Sequence, residues 1–115
     1  MSTRLQAVPA TSHLPRVQLE HLRRLLVQEH LLQQTRAIEL QDPPDLEPDL
    51  AAVLLTRCWE ALAEIEEALA LIGQGDYGTC SECRSAIPYE RLEVVPAARR
   101  CVSCQADREE KIRWL

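Results

Sequence analysis

Two long stretches of the chain carry apolar residues at helical spacing, and a proline-rich break separates them. The first begins after Pro15 and runs to about Leu40. Val17, Leu19, Leu22, Leu25, Leu26, Val27, Leu31, Leu32, Ala37, Ile38 and Leu40 recur at intervals that predict a helix and exclude strand alternation. Leu22, Leu26, Ala37 and Leu40 form the clearest line of a broad, blurred stripe, and Pro15 suits a first helical turn. Between Gln41 and Pro48 three prolines fall in six positions, so the helix stops and the chain turns.

Pro48 then suits the start of a second helix reaching about Ile72, with the sharpest pattern in the chain. Leu54, Cys58, Ala61, Ile65, Ala68 and Ile72 follow a 4-3-4-3-4 spacing, the seam of a coiled coil. Leu55, Leu62 and Leu69 flank that seam at seven-residue intervals and widen the buried face. Gly73 and Gly75 are expected to end the helix, because glycine takes the left-handed cap conformation easily. Two helices of similar length joined by a short turn predict an antiparallel hairpin. At 1.5 Å per residue it reaches roughly 35–40 Å. A short last helix is expected from about Val102 to Trp114.

Composition supports this reading. Apolar residues make up 46% of the 115-residue chain but aromatics only 3%, which favours leucine- and alanine-lined helices over a thick aromatic core. The net charge of −5 lacks the basic excess of a free-standing nucleic-acid binder, so a protein partner is favoured over direct DNA binding. No stretch matches the 18 or so apolar residues of a membrane span. Met1 to Leu14 lacks the features of a secretion signal and reads as a flexible leader. The expected organisation is a leader over 1–14, a hairpin over 15–75 with its tip at 41–49, and a cysteine-rich module with a final helix over 76–115.

Four of the five cysteines form two C-x-x-C pairs, Cys80 with Cys83 and Cys101 with Cys104, separated by seventeen residues. Without a secretion signal, such pairs suggest a reducing cytoplasm and a metal rather than disulfides. A two-residue gap lets both sulfurs of a pair reach one ion, and four thiolates suit a single structural Zn²⁺ with no position left for substrate. Redox pairs or an iron–sulfur cluster are the alternatives, but neither pair sits in a thioredoxin-like strand-to-helix setting. Cys58, on the seam, reads as a small core residue. His13, His21 and His30 show no ligand spacing and read as surface residues. There is no nucleophile–base pair, no phosphate-cradling loop and no open metal site, so an enzyme is not expected.

Several non-cysteine residues carry a family resemblance. Ala68-Leu69, Gly75-Asp76-Tyr77-Gly78-Thr79-Cys80-Ser81-Glu82-Cys83, Ile87-Pro88, Arg91-Leu92-Glu93, Pro96-Ala97 and Cys101-Val102-Ser103-Cys104-Gln105 resemble the DksA/TraR family of bacterial transcription factors. The likeness covers about residues 48 to 115; the first helix matches only in architecture. It implies a zinc-finger base carrying a coiled-coil arm. It also implies binding to RNA polymerase, with the arm in the secondary channel and acidic tip residues near the catalytic centre. In several members the alarmone (p)ppGpp acts as well.

The DksA tip carries an Asp-x-x-Asp-x-Ala pattern. Here Asp42-Pro43-Pro44-Asp45 reproduces the paired aspartates with Glu47 in place of the alanine, while Asp49-Leu50-Ala51 matches the second half. Asp42, Asp45 and Asp49 are therefore the candidate tip residues; the alternative is that these acids and Glu47 merely solvate the turn and cap the next helix. Arg84 stands where the family usually has glycine. Glu64, Val95 and Gln105 stand where DksA places basic alarmone-contacting residues, so direct (p)ppGpp contacts are not expected. The arm is also several residues shorter. Arg91, Arg99 and Arg100 are candidate polymerase-surface contacts, with ordinary solvated charge as the alternative, and a monomer is expected. The competing function is a zinc-stabilised adaptor that joins other proteins without polymerase.

Overall fold

The computed structural model describes residues 13–42 and 45–114. Helix α1 spans Arg16–Leu40, and Pro15 lies just outside it in extended conformation, its carbonyl accepting the Leu19 N–H at 2.9 Å. Helix α2 spans Pro48–Gln74 and packs antiparallel against α1. The two form the long axis of a molecule measuring 53 × 36 × 25 Å. Leu22, Leu26 and Ala37 of α1 meet Ala51, Cys58, Ile65 and Ala68 of α2 as the buried positions of the hairpin. Cys58 is 3% exposed, as its seam position requires.

The blurred stripe of α1 has a physical basis: Val17, Leu31, Leu32 and Ile38 all lie on its exposed surface. A hairpin of only two helices has one contact face, and a stripe wider than that face remains partly solvated.

The end of α2 differs from the expectation. Gly73 is helical, exposed, and has nothing within 4 Å of where a side chain would start. The stop falls at Gly75, with φ of 82°. Its N–H reaches Ile72 O at 3.2 Å and the Asp76 N–H reaches Leu71 O at 3.0 Å, the paired bonds of a Schellman closure. Two further elements follow, α3 (Tyr89–Val94), which the apolar pattern does not announce, and α4 (Val102–Arg113), which ends one residue earlier than expected. Among the described residues there is no strand; a single bridge pairs Thr79 with Ala86.

The core does not stop at the expected boundary between hairpin and finger. Leu14, Leu22, Leu26, Ile65, Ala68, Tyr77, Cys80, Ile87 and Leu92 form one buried cluster. Leu14, assigned to a flexible leader, is 7% exposed and belongs to this core, while residues 1–12 lie outside the described residues. His13 is exposed as expected, and its Nε2 also lies 2.9 Å from Ile87 O. A small module with little apolar surface of its own gains burial by resting on the hairpin base.

Candidate metal centre and arm tip

The first cysteine pair sits on a turn built by local geometry. Gly78, with φ of 88°, lets Ile87 N–H reach Gly78 O at 2.8 Å; Cys80 N–H reaches Ser85 O at 2.8 Å. Arg84 N–H returns to Cys80 O at 3.0 Å, and Arg84 itself adopts φ of 65°. The turn therefore keeps the backbone conformation that glycine would favour although arginine occupies it. The second pair opens a helix. Cys101 is the N-cap of α4 and its sulfur accepts from Cys104 N–H at 3.5 Å. The Ser81 N–H donates to Arg99 O at 2.8 Å and ties the two turns together.

This brings Cys80, Cys83, Cys101 and Cys104 together with all four sulfurs within 4.8 Å of one another. Cys83 and Cys101 stand 3.8 Å apart, matching the edge of a sulfur tetrahedron around zinc, about 3.8 Å for Zn–S bonds near 2.3 Å. The four cysteines can hold one zinc ion, and among the described residues no other cluster of possible ligands occurs. When bound, the ion cross-links the two turns.

The surroundings favour thiolates unequally. Burial pushes the Cys80 thiol up, but backbone N–H groups of Cys83, Cys101 and Glu82 and the Cys83 side chain outweigh it and bring Cys80 down to about 6. The Ser85 hydroxyl, 2.9 Å from the sulfur, holds Cys83 below the usual thiol range, and the Ser85 amide adds to this. The side chains of Cys101, Cys83 and Cys80 push Cys104 well above it. Close thiolates repel, so full deprotonation of the quartet calls for a cation at its centre.

Behind the metal site lies Tyr77. It is 2% exposed, and its hydroxyl donates to Pro96 O at 2.6 Å. An aromatic placed between a helix-ending glycine and a turn glycine is the sequence signal that marks it as an anchor.

The three candidate surface arginines are neighbours on one groove of ≈ 660 Å³, shared with Glu64, Glu67, Val95, Gln105 and Glu109. Each has a partner within the chain. Arg91 Nε donates to Arg100 O at 3.2 Å, Arg99 pairs with Glu67 at 2.6 Å, and Arg100 pairs with Glu82 at 3.3 Å. Arg108 also approaches Glu82, at 3.8 Å.

At the far end of the hairpin, Asp42, Asp45 and Asp49 are exposed. The cap of α2 falls to Glu47, whose Oε1 accepts the Asp49 N–H at 3.0 Å. Asp49 itself lies in the first turn of α2, where an acid also favours the positive helix end, while Asp42 and Asp45 lie outside the helix; Pro43 and Pro44 between those two lie outside the described residues.

A coiled-coil hairpin seated on a four-cysteine base defines a zinc-finger protein of helical architecture. Residues 75–110 match the prokaryotic dksA/traR C4-type zinc finger. The structure of transcription factor DksA2 from Pseudomonas aeruginosa superposes with a TM-score of 0.72 at 30% identity, covering 88% of this chain and 90% of that one. General stress protein 16O of Bacillus subtilis is 47% identical over 53 residues, and an uncharacterized protein of Aquifex aeolicus is 40% identical over 50. These matches span 46% and 44% of this chain but only 32% and 34% of those proteins, so the matched stretch covers about a third of each. The chain belongs to the DksA/TraR family.

Proposed function

We propose that this protein regulates transcription by binding bacterial RNA polymerase through the secondary channel and modulating initiation with its acidic tip. The observation that carries this reading is the exposed trio Asp42, Asp45 and Asp49 at the opposite end of the hairpin from the metal centre. Family membership and the likeness to a solved transcription factor support it. In this reading residues 15–75 are the arm and 76–115 the zinc-dependent base, and neither is an enzyme. The protein works in the cytoplasm as a monomer. A negative tip perturbs a centre built around Mg²⁺ and nucleic acid by electrostatics, and a rigid arm supplies the reach.

The groove beside the metal centre supports action without direct (p)ppGpp contacts. Its arginines are engaged internally, and Glu64, Val95 and Gln105 bring no cation to it. Among the described residues no helix is long and apolar enough to cross a membrane.

The test compares wild type with the Asp42→Asn/Asp45→Asn/Asp49→Asn variant for binding to core polymerase and for transcription from a ribosomal-RNA-type promoter. Binding is expected to survive while the transcriptional effect falls. Failure of the wild type to bind polymerase would refute the reading in favour of a zinc-stabilised adaptor. The exposed apolar residues Val27, Leu31, Ile38 and Trp59 are the feature that would serve such an adaptor.

A further inference from the structure

The apolar cluster joining finger to hairpin holds the two together by packing, and polar contacts outside it add directional restraints. Two ion pairs reach from the finger module to the hairpin among the described residues. One is His21–Glu93 at 3.6 Å, ionic only when the histidine is protonated, and the tighter is Arg99–Glu67 at 2.6 Å. Glu67 lies seven residues before the end of α2, about 10 Å up the arm from the finger junction, where a contact resists tilting best.

Arg99 is also connected to the metal turns. Its carbonyl accepts the Ser81 N–H next to Cys80, and Arg100, which follows it, joins α3 through its carbonyl and Glu82 through its side chain. Cys101 comes next in the chain. The dipeptide Arg99-Arg100 therefore touches both cysteine turns, α3 and α2 within two residues.

The geometry points to Arg99 and Glu67 as positioning residues that set the direction of the arm relative to the zinc-bearing base. α2 has 27 residues and is about 40 Å long, so a 10° tilt at the base moves the tip by about 7 Å. The functional consequence rests on the reading above, in which the tip must be aimed; the orientation itself does not.

The test uses the zinc-loaded full chain and no polymerase. Residual dipolar couplings are measured for amides of α1 and α2 and for amides of residues 77–104, in wild type, Glu67→Gln, Arg99→Gln, Arg99→Lys and the exchange Glu67→Arg/Arg99→Glu. Wild type is expected to fit one alignment tensor. Each glutamine variant should require two, with finger couplings reduced by at least a third, while Arg99→Lys and the exchange return toward one. A Co²⁺-substituted spectrum of each variant should keep its tetrahedral thiolate form.

A single tensor in Glu67→Gln overturns the assignment. Loss of the tetrahedral spectrum in that variant overturns it too, because the pair would then hold the metal site together and not the arm's direction. Failure to bind polymerase would sink the proposed function without touching this result.

Discussion

Arg84 adopts a left-handed backbone, with φ of 65°, in the turn between Cys83 and Ser85, and makes no ion pair among the described residues. That conformation costs a residue with a Cβ about 1–2 kcal/mol. Arg84→Gly removes the strain and keeps the backbone bond from residue 84 to Cys80 O, which needs no side chain. Glycine's extra freedom in the unfolded chain takes back about 0.4–1 kcal/mol. The net gain should be about 0.5–1 kcal/mol. For 115 residues, with an unfolding entropy of about 2 cal/mol/K per residue, this raises Tm by about 2–4 °C.

The assay is thermal unfolding of the zinc-loaded protein, paired with competition for Zn²⁺ against a chromophoric chelator. If the turns fold only on binding metal, the same free energy appears as an affinity about two- to fivefold higher. Arg84→Ala is the control, since it removes the charge but keeps the Cβ and the strain. It should move Tm by no more than about 2 °C in either direction. An alanine variant as stabilised as the glycine one would assign the gain to charge, and a neutral or destabilised glycine variant would refute backbone strain outright.

Two further substitutions test the core and the metal assignment. Tyr77→Phe keeps the buried ring but leaves Pro96 O without its 2.6 Å donor, and should cost about 1–3 kcal/mol in urea unfolding; an unchanged midpoint would count against the anchor. Cys58→Ala should cost about 1 kcal/mol through lost packing and still bind one zinc per chain, whereas Cys104→Ser should lose tight binding; zinc analysis of the purified proteins distinguishes them.

The two long helices, their turn and the cysteine quartet are legible in the sequence because each rests on local rules. A 4-3-4 spacing marks one helix face whatever that face meets, and a C-x-x-C pair brings two sulfurs to one ion by its own geometry. Less local features are not legible in this way. The sequence offers Glu47 with three aspartates as candidates to cap α2, and the structure selects Glu47, just outside a helix that begins at Pro48. The tyrosine at 77 gives no hint that its hydroxyl reaches Pro96, nineteen residues away. Helix α3 has only six residues, too few to establish a period.

The sequence by itself determined the hairpin, the metal ligands and the concentration of acid at 42–49, since periodicity, spacing and composition are properties of neighbours along the chain. Tertiary structure alone decided that Leu14, Tyr77, Ile87 and Leu92 share one core with the hairpin, and that Arg99 turns inward to Glu67. Burial and ion pairing depend on which distant segments converge. A charged side chain carries nothing in its own identity that says whether it faces water or a partner 32 residues away, as Arg99 does.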